Sequence, residues 1–369
     1  GQRWRGAIRS RRVSVADIGA GHVTFAIFSA AHDRPLTLRS MVSECFVPDP
    51  ALDAAWAEQV EGAIRRIRTR ARFGASLAFA VPGHLALTKF ITSPSVAKTK
   101  RGRVIQFEAA QNIPYRLEEV IWDYAVLADD GHEMEILLAA AKSDAMERLG
   151  AAVELVAPAI AHATPSAIAL HDAFRFNYPE IKDGVLLASI GARTTQLLLI
   201  LPQGFFVRTI ALAGNAVTQA VAEALEIGLS EAEALKLEVL GACSSLAPDA
   251  PQRLAVERAA ESFCARLIPE IVRSALGLRR QSRQGEPTTL FLAGGGSLIE
   301  ELPTVLGERL NLPVVRYDAL KRVTISPAAR GMASERRTAF SPELIGLAAA
   351  SLKRTRGLNL LPAKTRNSH

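Results

Sequence analysis

Residues 185–200 read VLLASIGARTTQLLLI, and residues 13–28 read VSVADIGAGHVTFAIF. Laid over each other without a gap, they share Val, Ala, Ile, Gly and Ala at matching positions. In both, β-prone apolar runs flank a Gly-Ala pair, which predicts a β-hairpin closed by a tight turn. A turn of Gly and small residues exposes consecutive backbone N–H groups and lets a bulky anion approach, so each is a candidate phosphate nest. Two such turns facing each other across a cleft could clasp a polyphosphate. The plainer alternative is a duplicated sheet whose turns need glycine only for the bend.

The rest of the chain is consistent with a duplicated α/β protein. Its 369 residues exceed one ordinary core and predict two to three domains. Hydrophobic content of 49% and charged content of 22% are globular values. Apolar runs such as LLASIGA and LIGLAAASL fall short of the ~18 residues a membrane span needs. Cys45, Cys243 and Cys264 are scattered and odd in number, which fits reduced thiols rather than disulfides or zinc, and the seven histidines form no metal motif. The net charge of +7 is terminal: residues 1–12 hold five Arg, and residues 321–369 hold ten Lys or Arg against Glu335 and Glu343. Such ends suit acidic lipid headgroups, an acidic partner or plain solvation. With 6% aromatics and no Arg-aromatic clustering, nucleic-acid binding is not expected. The first residue is not Met and no apolar signal core follows the basic start, which suggests a trimmed cytosolic chain.

Between the hairpins, periodicity predicts a third strand in LTLRSMVSECFV and a helix over 53–70 with Trp56, Val60, Ile64 and Ile67 on one face. ASLAFAVPG reads as a buried strand, 85–92 as a strand, 97–113 as a basic-started helix stopped by Pro114, and 118–142 as a hairpin around Asp129 to Glu133. A helix from Ser143, a strand VELVAP and a helix TPSAIALHDAF lead to the second hairpin. Beyond it come the strand GFFVRTIAL, a helix over 215–227, a helix in LSEAEALKLEVLG opened by a Ser230–Glu233 capping box, and a long helix over 251–278. TLFLAGGGSLIEELPTVLGERLNLPVVRYD then reads as strand, glycine loop, helix starting at Ser297, and strand. Glycines at 294–296 would let backbone lie flat against a ligand beside a helix N-terminus. A Rossmann site competes, with Asp318 ending the next strand, but Ile299 stands where GxGxxG needs its third glycine. No GxxxxGK[ST] occurs.

The order of hairpin, insert, second hairpin and strand-GGG-helix resembles the actin, Hsp70 and sugar-kinase superfold. Within it, QFEAAQNIPYRLEEVIWDYAVL, GLSEAEALK and LFLAGGGSLIEELPTVLGERLNLPV are similar to the PilM family of type IV pilus assembly proteins, over about residues 13–352. The resemblance implies two pseudo-symmetric domains flanking a nucleotide cleft. The first subdomain would hold 1–84 and 156–182 with a C-terminal helix over 341–356. A partner-binding insert would span 85–155, a second subdomain 183–216 and 285–340, and a helical cover 217–284.

The resemblance implies ATP and magnesium as ligands. Asp17 would reach magnesium through water; Gly19, Ala20 and Gly21 would form the first phosphate turn, and Gly191, Ala192, Arg193, Thr194 and Thr195 the second. Gly294, Gly295 and Gly296 would meet adenosine, and Glu233 and Lys236 would lie over base or ribose, although an intrahelical ion pair explains that last pair equally. The family's phosphate-facing Lys falls on Thr24, the second loop's Asp on Ser189, and a further acid on Thr164. Loss of a positioned base costs ~100 to 10,000-fold in rate, so weak or absent hydrolysis is expected, with no confident catalytic residue.

The tail after 356 reads GLNLLPAKTR. Leu358, Asn359, Leu360, Leu361 and Pro362 are similar to the Ile-Asn-Leu-Leu-Pro segment with which the family's membrane partner, PilN, begins. That predicts a tail that fills its own or a neighbour's partner groove, a remnant of a split fusion, or a solvated end with a chance match. The expected role is a cytoplasmic scaffold, peripheral to the inner membrane, docking a PilN-like peptide. Type II secretion and FtsA-like components, a sugar kinase and an NAD-dependent dehydrogenase are the alternatives.

Overall fold

A computed structural model describes residues 11–30, 35–47, 53–71, 73–74, 76–241, 244–281, 286–331, 340–353 and 357–361. The first hairpin is β1 (Arg11–Ile18) and β2 (His22–Ala30), followed by β3 (Leu36–Cys45) and α1 (Asp53–Arg70). Next come β4 (Leu77–Val81), β5 (Ala86–Pro94), α2 (Lys98–Asn112), β6 (Val120–Asp129), β7 (Glu133–Lys142), α3 (Ser143–Glu154), β8 (Ile160–Pro165) and α4 (Ser166–Asn177). The second half holds β9 (Val185–Ile190), β10 (Thr195–Leu201), β11 (Gly204–Ile210), α5 (Asn215–Leu225), α6 (Leu229–Val239), α7 (Pro251–Gln281), β12 (Leu290–Ala293), α8 (Leu302–Leu310), β13 (Val314–Arg316) and β14 (Val323–Ile325). The helix Pro342–Lys353 closes the order as α9.

The sheets carry the duplication. One runs β14-β3-β2-β1-β4-β8 and the other β11-β10-β9-β12-β13, so hairpin, third strand and two parallel strands recur in the same spatial order. Even the register repeats. Asp17 pairs with Thr24 and, in the parallel direction, with Ala80; Ser189 pairs with Gln196 and with Ala293. The gapless match between residues 13–28 and 185–200 is therefore an identity of strand pairing.

Side-chain alternation decides what covers each sheet. Ala16, Ile18, Phe25 and Phe79 face α1, whose Trp56, Val60, Ile64 and Ile67 are buried in the same core. Val15, Ala26, Phe28 and Ala80 face the opposite way, onto Leu344, Ile345 and Ala348 of α9. In the second sheet Leu186, Ala188 and Ile190 meet α5, α7 and α8. Val185 and Leu187 turn toward Leu170 and Phe174 of α4, which joins the two halves in one core. β9 and β10 are near-continuous apolar runs because both of their faces are covered. A third sheet, β5-β7-β6, lies between β4 and β8 in sequence. Ile136 and Leu138 of β7 pack on Ile105 of α2, whereas Leu137 and Ala139 join the first core.

Three local expectations are corrected. VELVAP is not a strand: α3 runs to Glu154, and the strand paired with β4 starts at Ile160. The core-facing Ala152 and Val153 continue the helical period of Met146 and Leu149, so this apolar run is a helix end. The helix expected at Ser297 is a single 3-10 turn, and α8 begins at Leu302 with Pro303 in its first turn. No capping box forms at α6, whose N-cap is Gly228 with no side-chain bond; Glu233 is engaged elsewhere. Among the described residues, no helix is long and apolar enough to cross a membrane.

Candidate functional site

The β1–β2 and β9–β10 turns meet. A Cβ built on Gly21 would sit 3.3 Å from the Ala192 Cβ, closer than nearly all side-chain contacts, so the turns face each other at close range. The turns share one internal hydrogen bond: the Gly19 amide donates to the His22 carbonyl at 2.9 Å, and the Gly191 amide to the Thr194 carbonyl at 3.1 Å. The second turn also caps α5, with Gly214 N–H donating to Gly191 O at 3.0 Å and Asn215 N–H to Ala192 O at 2.7 Å. The amides that would cradle an anion at this helix start are satisfied by the chain itself. Thr195 turns its hydroxyl to Leu212 O, Gly191 is exposed, and Ala192, Arg193 and Thr194 are partly so.

Asp17 is buried at the end of β1, and its Oδ2 lies 2.8 Å from His22 Nε2 and 2.6 Å from Ser341 Oγ, which donates to it. Ser341 Oγ also lies 2.8 Å from Glu343 Oε2 at the start of α9. Burial, and then the charge of Asp17, push the Glu343 carboxyl up to about 8. Neither His22 nor Glu343 was singled out from the sequence, since they lie five and 326 residues from Asp17. Thr24, where the family has Lys, is buried and bonded to Ser43 Oγ at 2.7 Å. Ser189 pairs in the sheet as Asp17 does.

The other carried-over residues serve internal packing. Gly294 adopts φ +81, and a Cβ there would lie 2.4 Å from Ile190 O. A Cβ on Gly296 would lie 2.3 Å from Ile190 Cγ2, whereas Gly295 faces open space. Gly294 thus makes way for the Ile190 backbone and Gly296 for its side chain, and of the three only Gly295 has room for a ligand. Lys236 Nζ reaches Glu233 Oε2 at 2.6 Å, Thr218 Oγ1 at 2.9 Å and Gly214 O at 3.3 Å, tying α6 to α5. A cavity of about 150 Å³ opens elsewhere, walled by Phe90, Phe206, Glu133 and Glu135, and those acids would repel a polyphosphate.

Magnesium–ATP does not fit these residues as they stand. A hard cation asks for several oxygen ligands. Here the Asp17 carboxylate is taken up by a histidine and by a serine hydroxyl that also meets Glu343, the two turns lie close together, and Thr24 is bonded to Ser43. Among the described residues no group of three metal-ligating side chains is gathered.

A second site lies at β8, the edge strand of the six-stranded sheet. The segment after α9 returns along it. Leu360 N–H donates to Ala163 O at 2.8 Å, and Ala163 N–H donates to Asn359 Oδ1 at 3.1 Å. Asn359 N–H donates to Asp123 Oδ2 at 2.9 Å, Leu361 N–H to Asn359 Oδ1 at 3.1 Å, and the Thr164 hydroxyl to Leu358 O at 3.3 Å. Leu358, Leu360 and Leu361 are buried in the first core; Pro362 lies outside the described residues, as does Cys243. Thr164 therefore faces this groove and not the cleft. Asp123 went unnoticed in the sequence, although alternation along β6 puts it on the face of Ile121 and Ala125, which pack on the first core.

Two α/β halves of one topology, apposed turns between them and an inserted three-stranded sheet define the actin-like fold. A family model described as type IV pilus assembly protein PilM matches residues 15–350, and the chain belongs to that family. Among solved structures, one titled PilM-PilN type IV pilus biogenesis complex superposes with a TM-score of 0.74 at 22% identity, covering 94% of this chain and 99% of that one. The ethanolamine utilization protein EutJ from Carboxydothermus hydrogenoformans gives 0.45 at 14% identity, over 92% and 89%. The cytoplasmic domain of EpsL, from the type II secretion system of Vibrio cholerae, gives 0.44 at 8%, over 96% and 100%. Among curated protein sequences none matches.

Proposed function

We propose that this chain is a scaffold subunit of a type IV pilus-like assembly machine, acting on the cytoplasmic side and peripheral to the inner membrane by holding a short extended peptide at the β8 edge. The observation that carries the reading is the seat of Leu358 to Leu361 between β8 and Asp123 of β6. Its chemistry resembles β-strand addition: the main-chain bond from Leu360 to Ala163 anchors the segment at the sheet edge, and pockets for its side chains give selectivity. Three buried leucines and one asparagine that satisfies two amides make the groove selective for a Leu-Asn-Leu-Leu pattern. The solved relative is titled as a complex with PilN, and a PilN-like N-terminal peptide of that pattern is the partner in this reading. The insert over 85–155 is its partner-binding part and 217–284 its helical cover; ATP and magnesium have no role in it, and turnover is expected to be absent.

The chain's own tail competes for the groove. Only three residues separate Lys353 from Gly357, so the tether gives an effective concentration of order mM. Fluorescence anisotropy with a labelled Leu-Asn-Leu-Leu-Pro peptide tests the reading. The full chain should bind it weakly and a chain ending at residue 356 at least ~10-fold more tightly; no binding by either form would refute it.

A further inference from the structure

Hydrogen counting at the floor of the cleft leads past docking. Ser341 Oγ lies within hydrogen-bond distance of two carboxyl oxygens, Asp17 Oδ2 at 2.6 Å and Glu343 Oε2 at 2.8 Å. A hydroxyl carries one proton and can donate to only one of them. The second contact therefore needs a proton from a carboxyl group, which then donates to the serine lone pair. Asp17 Oδ2 is already placed 2.8 Å from His22 Nε2 to receive a donor there. The carboxyl that keeps the extra proton is Glu343.

We infer that Glu343, Ser341, Asp17 and His22 form a hydrogen-bonded bolt, in which Glu343 donates to Ser341 and both Ser341 and His22 donate to Asp17, that joins the start of α9 to the β1–β2 turn and occupies the carboxylate a magnesium–nucleotide would require. The cleft is self-ligated. Three further observations agree with this. The Gly21 and Ala192 turns lie so close across it that a Cβ on Gly21 would come within 3.3 Å of the Ala192 Cβ. The Gly214 and Asn215 amides at the start of α5 are bonded to the second turn. Burial beside Asp17 pushes the Glu343 carboxyl in the direction that retains the proton.

Among the described residues, few titratable groups face Glu343. β1 presents Asp17, β2 presents His22, and Tyr317 beyond β13 lies within the field of Glu343. α4 meets α9 through Ala169 and Ala173, and β4 through Ala78 and Ala80, so neither brings a charge to the bolt. On α4, His171 pairs with Asp172, and Arg175 donates to the Ile181 and Leu201 carbonyls.

Titration calorimetry of the full chain with ATP, with magnesium and with EDTA, tests the inference alongside amide exchange of residues 17–22 and 341–345. The unaltered chain is expected to show no magnesium-dependent binding tighter than about 1 mM. Ser341→Ala should speed exchange in both segments at least ~10-fold. Glu343→Gln still offers an N–H to Ser341 and should leave exchange within ~3-fold of the unaltered chain. Infrared difference spectra at pH 7 should show a protonated carboxyl band that Glu343→Gln removes, a readout that needs no destabilised variant. Micromolar magnesium–ATP binding by the unaltered chain, equal exchange in Ser341→Ala, or absence of that band would overturn the bolt.

Discussion

The Leu360 amide donates to the Ala163 carbonyl at 2.8 Å, across 197 residues of sequence, and this bond seats the C-terminal segment on the edge of β8. An edge strand presents unpaired backbone groups that a second segment can claim. Here the claimant comes from the same chain, with Leu360 wholly buried below it.

Truncating that leucine should release the segment. Leu360→Ala removes buried apolar volume, worth about 2–5 kcal/mol when the site cannot collapse. Amide exchange at Ala163, whose N–H is held by Asn359, should rise by an order of magnitude or more; unchanged protection would show that the segment is held by its backbone alone.

Stability should depend on pH through Glu343. Its carboxyl is raised from the ordinary 4.5 to about 8, so between those values the folded chain keeps a proton that the unfolded chain has released. Stability then falls as pH rises through this window, by at most about 1.4 kcal/mol per unit, and levels off above it. Urea midpoints taken from pH 5 to 9 should show the fall in the unaltered chain, and the difference from Glu343→Gln isolates it.

Gly346→Ala should destabilise the junction of α9 and α4. A Cβ there would lie 1.9 Å from the Ala169 carbonyl oxygen, which is backbone and cannot swing aside. Overpacking of this kind costs about 1–3 kcal/mol or more, read as a lower urea midpoint, with the largest loss of amide protection in α9.

Gly294→Ala should be as damaging, through a different cause. The residue sits at φ +81 and its Cβ would meet Ile190 O at 2.4 Å. Gly295→Ala, with nothing within 4 Å, should leave the urea midpoint within about 0.5 kcal/mol of the unaltered value. Equal effects at the two positions would mean that the loop, not Ile190, sets the requirement.

Much of the fold could be read from local pattern. The two Gly-Ala hairpins, the apolar face of α1 and the hairpin at Asp129 to Glu133 follow from period and turn chemistry, which act within a few residues. VELVAP departs from its local pattern because a short apolar run suits a helix end or a strand equally, and only the neighbouring packing chooses.

The sequence by itself determined the duplication, the turn positions and the family, because strand register and glycine bends are written in adjacent residues. Tertiary structure alone decided what those turns face and which groups fill them. Asp17 meets Ser341 and Glu343, and Ala163 and Asp123 receive Leu360 and Asn359, because folding brings α9 and the segment after it back across the first sheet. Contacts between residues hundreds of positions apart are set by that path, and no local period records them.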